Sequence, residues 1–436
     1  MTLAEIVERL RQAGGDQEQL LLATVDFALA THEPRLREAL EAAAIPHWFD
    51  DRILARLLDT DANEAAVLKE RLQSLPMVEP FASREGWNVH ESTRLALRRK
   101  IHGDQPERFR ELSARAAACW PEDGVIPRVE AIYHRLSSEP EEGAVELERN
   151  YWRWQRSGRR EASQALGTAL EELSHFPLSD VARGRVLLIL GWIRLGWVPV
   201  AQSERSARQA VETLERTGPL ASCADAHCLL GQALQQRGSL AGALAEYQAC
   251  KRILEGLTAL DPANTDWQRE LSVSHTYVGS VYQAQGQRTE ALAEYQASKR
   301  ILEGLSALDP GNTDWQRDLS VSHTKVGRVY QAQGRLAEAL AEYQACKRIL
   351  EGLSALDPGN TDWQWELSVS HTNVGNVFQA QGRLAEALAE YQADLAIAER
   401  LALLDPTNAG WQTDLRITRE LIDELRDGIK PEQTEG

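Results

Sequence analysis

The chain has 436 residues, 43% of them apolar and 26% charged, with a formal charge of −17. It is apolar enough to bury real cores, which excludes wholesale disorder. Its diffuse acidity repels phosphate backbones and anionic lipid, arguing against nucleic acid or a membrane surface as the main partner.

The opening words MTLAEIVERLRQAGG carry acidic residues and no apolar h-region, so no signal peptide is expected there. Residues 1–103 hold 13 Lys+Arg against 17 Asp+Glu. Apolar spacing predicts helices over 17–30, 34–44, 51–58 and 62–74. Two strand-like pieces follow, MVEPF (77–81) and GWNVH (86–90), with ASRE between them, and then a helix, ESTRLALRRK (91–100). Several helices and then a hairpin is the winged-helix order. The segment resembles the winged-helix domain behind the ATPase core of STAND-type signalling NTPases, the class that includes NLR-like and NB-ARC proteins. That resemblance implies a hydrophobic–His–Asp motif after the wing, whose histidine senses a nucleotide phosphate. Here the words are Val89-His90-Glu91, with Glu in place of Asp. No G-x-x-x-x-G-K-[ST] loop occurs in the sequence. His90 is therefore expected to make local hydrogen bonds at the end of the wing rather than to sense phosphate. RLALRRKIHGDQPERFR (94–110) is a local basic patch expected to face acidic neighbours or solvent.

Residues 104–218 read as degenerate helical hairpins joined by short Gly, Pro and Ser turns. ERFRELSARAAACW and VEAIYHRL look like the linker helices that join a STAND winged helix to its repeats. The most apolar run, VLLILGWIRLGWVPV (186–200), is too short to span a bilayer and has Arg194 in its middle, so it predicts a buried helix. The five cysteines, Cys119, Cys223, Cys228, Cys250 and Cys346, have no framework spacing, which points to a reducing cytosol. CADAHC (223–228) places Cys223 and His227 four apart, but two further ligands for zinc are missing. No H-E-x-x-H, G-x-S-x-G or paired C-x-x-C occurs. The expectation is a protein without catalytic, cofactor or metal residues.

From Trp267 the sequence repeats every 48 residues. Unit 267–314 differs from 315–362 at seven positions, a third unit is 363–410, and a divergent one is 219–266. Each unit predicts two antiparallel helices of about 20 residues. TDWQ would open the first with a capping box, Thr313 to Gln316, repeated as Thr265/Gln268 and Thr361/Gln364. Trp315, Leu319, Val326 and Tyr330 form its apolar face, and Gly334 stops it. Leu336, Ala339, Leu340, Tyr343, Leu350 and Leu353 face one side of the second helix, which ends at DPGN.

VGRVYQAQGRLAEALAEYQ (326–344) resembles the tetratricopeptide (TPR) core at Gly327, Tyr330, Gly334, Ala339 and Tyr343. The same positions are Gly279, Tyr282, Gly286, Ala291 and Tyr295, then Gly375, Phe378, Gly382, Ala387 and Tyr391. The fainter unit keeps Gly231, Gly238, Ala243 and Tyr247. The resemblance implies a mainly α fold, a TPR-type solenoid wound as a right-handed superhelix after the small winged-helix-like domain. The 48-residue period exceeds the family's usual 34, which splits as seven residues added to each helix. Domains are expected at 1–103, 104–218 and 219–410, with a capping helix at 411–429 and a disordered tail at 430–436.

His275, His323 and His371 recur in register, with His227 in the divergent unit. Equivalent helices stand about 10 Å apart, too far for successive histidines to share an ion, so the row predicts inter-helix hydrogen bonds. Positions that vary between copies gather on one side of the first helix: Arg269/Arg317/Trp365, Tyr277/Lys325/Asn373 and Ser280/Arg328/Asn376. With Gln283, Gln331 and Gln379 they are the candidate lining of a partner groove. TPR arrays of this kind bind peptides or partner helices on the concave face, so the resemblance implies a scaffold for a protein or peptide. A second expectation is the sensor of a bacterial STAND-like signalling or defence system with its enzyme on another chain. A weaker one is a DNA-binding winged-helix regulator with a TPR sensor. The near-identical copies also permit end-to-end stacking, leaving a homo-oligomer open.

Overall fold

The computed structural model describes residues 16–81, 85–120, 124–174, 176–216 and 221–429, the side chains of 427–429 excepted. The opening fifteen residues, most of the ASRE turn and the tail expected at 430–436 lie outside the described residues. The chain divides into two compact units after Ala233.

The first unit begins with α1 (Gln17–Ala28), α2 (Pro34–Ala43), α3 (Asp51–Leu58) and α4 (Ala62–Gln73). Asp16, Asp50 and Asp61 cap α1, α3 and α4, each side chain accepting backbone N–H groups of the first turn. The antiparallel pair β1 (Val78–Phe81) and β2 (Gly86–Val89) follows, with Val78 opposite Val89. Phe49 extends the pairing, exchanging backbone hydrogen bonds with Trp87 at 2.7 and 2.9 Å. Next come α5 (Glu91–Asp104), α6 (Pro106–Ala117), α7 (Val125–Ser138), α8 (Pro140–Arg156), α9 (Arg160–Ser174), α10 (Asp180–Leu195) and α11 (Val200–Glu215). Pro106 and Pro140 sit at the first helical positions, where their missing N–H has no partner to lose. A single core runs from Val25 to Ile193. The apolar run becomes α10, buried at Val186, Leu188, Ile189 and Leu190, while Arg194 turns out to Ser206 and Glu171. No described helix is long and apolar enough to cross a membrane.

The division falls inside α12 (Ala221–Gln236). The second unit then stacks α13 (Leu240–Leu260), α14 (Thr265–Ala284), α15 (Arg288–Leu308), α16 (Thr313–Ala332), α17 (Leu336–Leu356), α18 (Thr361–Ala380), α19 (Leu384–Leu404) and α20 (Ala409–Ile429). The first and second helices of the three clear repeats are 20 and 21 residues long. Gly286, Gly334 and Gly382 stop the first helices at φ of 77°, 74° and 72°, a region that disfavours other residues.

The expected capping box is displaced by one residue. Asn264, Asn312 and Asn360 are the caps, accepting from Trp267, Trp315 and Trp363 N–H at 3.1–3.2 Å. A short amide side chain in extended backbone does this better than threonine, so Thr265, Thr313 and Thr361 become the first helical residues.

Gly327 explains how the two helices of a repeat meet. A Cβ there would fall 2.7 Å from Tyr343 Cε1, and Gly279 and Gly375 meet Tyr295 and Tyr391 in the same way. The ring packs against the bare backbone and its hydroxyl donates to Gln331 at 2.9 Å. Burial pushes the Tyr295, Tyr343 and Tyr391 hydroxyls up to about 12, so they stay protonated donors. On the last repeat, α20 lays Ile422 and Leu425 against Val374, Val377 and Phe378. Its Thr418 donates at 2.8 Å to Asp394, a buried carboxylate that also accepts from Ser368 and Thr372.

Candidate partner-binding groove

The twelve groove candidates separate into three groups. Arg269 reaches Asp318 at 2.6 Å, Arg317 reaches Glu366 at 2.6 Å, and Trp365 Nε1 donates to Asp414 at 2.9 Å. Each links the third position of one repeat to the fourth position of the next. Gln283, Gln331 and Gln379 accept from the Tyr295, Tyr343 and Tyr391 hydroxyls, and Asn376 also accepts from Tyr391. Ser280 donates to the Tyr277 carbonyl, and the Tyr277 ring stacks on Tyr247 at 5.0 Å. Those residues serve packing within and between repeats, and Trp365 alone of them also faces the cavity of the third group.

Lys325, Arg328, Trp365 and Asn373 are the four that the fold brings together. They share a cavity of about 200 Å³ between α16 and α18, floored by Cys346 and Leu350. Val321 and Val369 add apolar wall, and Val321 and Trp365 are 39% and 42% exposed. Neither Lys325 nor Arg328 has a carboxylate within 4.0 Å among the described residues, and the wall's own Glu366 is held by Arg317. Burial, with Arg328 beside it, lowers the Lys325 pKa. Two neighbouring cations against an apolar, half-open surface can hold a carboxylate and an apolar side chain together.

The histidine row has a different role. His323 Nδ1 lies 2.6 Å from Glu342, which also accepts from Lys299 of the preceding repeat at 2.7 Å. His275–Glu294–Lys251 and His371–Glu390–Lys347 repeat the arrangement. Burial alone would raise these carboxyls. The hydrogen bonds from histidine and lysine outweigh it and hold all three below the ordinary glutamate range. The inter-helix hydrogen bond expected of each histidine is present, and it extends across the repeat boundary. In the divergent unit His227 Nε2 lies 3.4 Å from Glu215. The described residues contain no group of three or more metal-capable side chains, and all five cysteines are free.

The first unit holds a buried charged cluster that sequence reasoning missed. Arg98 is wholly buried, donates to the Ile45 carbonyl at 2.5 Å, and sits among the rings of Phe109, Tyr133 and Phe176. Burial, with Arg94 nearby, lowers its pKa to about 9. Glu172 accepts from Arg94 and Tyr133. Burial works against its ionisation, but the His47 hydrogen bond and the two arginines hold it at about 2. Burial also opposes protonation of His47, and Glu130 at 2.9 Å overcomes it and raises the pKa. Burial pushes His134 well below the ordinary histidine value. The rest of the basic patch is also engaged: Arg99 with Glu18, Lys100 with Asp104, Arg108 with Glu41. His90 is exposed, and its backbone N–H donates to Met77. The only sequence signal for the cluster was a pair of arginines four apart, Arg94 and Arg98, bracketing the apolar stretch Leu95–Leu97.

No protein-family model matches the sequence, and no curated protein matches it. Among solved structures, a STAND protein with a tetratricopeptide repeat sensor from Pyrococcus horikoshii aligns over 98% of this chain and 71% of its own, at 12% identity and TM-score 0.42. A Rap protein complexed with competence and sporulation factor aligns over 94% and 100%, at 10% identity and TM-score 0.42. A putative kinesin light chain with nearly identical TPR-like repeats, from Podosopora anserina, aligns over 50% and 96%, at 19% identity and TM-score 0.39. All are TPR-like helical repeat proteins. The architecture of the second unit rests on the 48-residue period and its stacked helix pairs.

Proposed function

We propose that the chain is a non-catalytic interaction scaffold that holds a partner protein segment in the groove of its second unit. The observation that carries this reading is the Lys325–Arg328 pair, two cations with no carboxylate within 4.0 Å among the described residues, beside the exposed Trp365 and Val321. The equivalent residues are Tyr277 and Ser280 in one neighbouring repeat and Asn373 and Asn376 in the other. Charge at this spot is therefore not needed for the repeat to fold. The test is the double variant Lys325→Tyr with Arg328→Ser, which restores the neighbouring copy. Cross-linking and mass spectrometry in the native host should place a partner segment on α16 and α18 of the parent and lose it in the variant. Identical cross-links in both would refute the groove.

A second reading makes the scaffold the sensor arm of a STAND-like system whose nucleotide-hydrolysing enzyme is another chain. It is favoured by the order of residues 17–104, four helices, a hairpin and a helix, which we read as winged-helix-like. The charged cluster supports this by tying His47, Arg94 and Arg98 to Glu130 and Glu172 of the following helices. Nucleotide binding by this chain alone would refute the division of labour.

A further inference from the structure

The second helix of three of the four repeats carries an exposed motif. Arg252, Gly256 and Leu260 lie four apart on α13, as do Arg300, Gly304 and Leu308 on α15 and Arg348, Gly352 and Leu356 on α17. Four-residue steps keep all three on one face. Among the described residues none of the three arginines has a carboxylate within 4.0 Å, although Lys251, Lys299 and Lys347 beside them are all paired. The leucines are 82%, 70% and 69% exposed.

The glycine between them has no reason to be there within the chain. A Cβ at Gly256, Gly304 or Gly352 would meet nothing within 4 Å. Glycine is the poorest helix former after proline, so an open position in mid-helix favours almost any other residue. What it leaves is a notch. At Gly352 the notch belongs to a cavity of about 650 Å³ rimmed by Arg348, His323, Gln316 and Leu356 and lined by no carboxylate.

The last repeat shows what closing the notch looks like. There the arginine position is Ala396 and the glycine position is Arg400, whose guanidinium lies on Gln364. Gln364 is the counterpart of Gln316. A side chain of the protein itself fills the space in that copy, so the space admits a polar group of that size.

We propose that the Arg–Gly–Leu face of α13, α15 and α17 docks an extended acidic segment of another protein. Each repeat would pair one carboxylate with its arginine and pack one apolar side chain on its leucine. Charge complementarity selects this occupant: three unpaired arginines in register on a chain of net charge −17. Equivalent helices stand about 10 Å apart, which is about three residues of polyproline-II chain, the extended form that returns every third side chain to the same side. The segment therefore presents an acidic residue every third position. This face is separate from the groove, because His323 and Lys325 lie about 200° apart around α16.

The probe is a fluorescein-labelled peptide of three Glu-Leu-Gly units, with a Lys-Leu-Gly counterpart, titrated with the full chain and read by anisotropy. Saturable, salt-sensitive binding of the acidic peptide alone is expected. It should weaken tenfold or more in the triple variant Arg252→Ala, Arg300→Ala, Arg348→Ala. It should weaken likewise when Gly304→Arg and Gly352→Arg fill the notches, a change that favours the helix and so leaves folding intact. Lys325→Tyr with Arg328→Ser should leave it unchanged. Absence of saturable binding, equal binding of the lysine peptide, or indifference to both sets of variants would overturn the proposal. Self-association lost in the triple variant, without peptide binding, would also overturn it and assign the face to contact between copies.

Discussion

Two glycines of one repeat should respond oppositely to the same substitution. In Gly327→Ala the new methyl falls 2.7 Å from Tyr343 Cε1. That ring is 1% exposed and its hydroxyl is tied to Gln331, so it has nowhere to swing. Overpacking of this kind costs about 2–3 kcal/mol. The gain in helix propensity from Gly to Ala returns about 1 kcal/mol, leaving a net loss of about 1–2 kcal/mol. In Gly352→Ala the methyl meets nothing within 4 Å, so only the propensity gain of about 1 kcal/mol operates. The two variants should therefore differ by about 2–3 kcal/mol, with opposite signs relative to the parent. Urea denaturation followed by circular dichroism measures this, comparing midpoints at equal slope. Stabilisation by both substitutions would show that the Gly327–Tyr343 contact does not set the spacing of the helix pair. Destabilisation by both would show that the Gly352 notch is not empty.

Acid should loosen the repeat stack. Glu294, Glu342 and Glu390 have folded pKa values below their ordinary 4.5, so their contribution is full above that value and is lost as pH falls through the lowered ones. Glu342→Gln should flatten this acid limb in thermal melts, and an unchanged limb would remove the carboxylates as its cause. Tyr330→Phe removes the hydroxyl that receives Gln296 at 2.9 Å and should cost about 1 kcal/mol, the repeat surviving as it does with Phe378. Arg98→Ala leaves the Ile45 carbonyl without its buried donor, takes one of two cations from beside Glu172 and opens a cavity among Phe109, Tyr133 and Phe176, and should destabilise the first unit by about 3 kcal/mol. Limited proteolysis should then cut residues 16–216 while the repeats resist.

The repeat architecture was legible because periodicity encodes both secondary structure and neighbour contacts. Val326, Ala339 and Tyr343 are buried as their spacing requires. The caps were misplaced by one residue because Asn312 and Thr313 both have capping side chains, and only backbone conformation chooses between them. Variation between copies picked out the residues that share the cavity between α16 and α18, but also Arg269, Arg317 and Trp365, which bond to the next repeat. Their partners, Asp318, Glu366 and Asp414, lie 49 residues on, an offset visible only when one period is laid beside the next. The charged cluster was illegible for a related reason. Arg98, Glu130 and Glu172 lie on three different helices, and no local pattern announces that they converge.

The Lys–Glu–His triads have a consequence for how such a chain can change length. The Lys–Glu contact is made by the same residue types at the same offset at three boundaries, Lys251–Glu294, Lys299–Glu342 and Lys347–Glu390, so the repeats that share it can follow one another. Excising residues 315–362 would bring Lys299 to Glu390 and Arg269 to Glu366, and the only hydrogen bond forfeited at the new seam is that from Gln296, which would meet Phe378. Recombination between the near-identical coding segments could thus shorten or extend the array by whole units while every surviving junction stays native. The reach of the molecule is then a heritable variable that can drift or be selected independently of the stability of its parts.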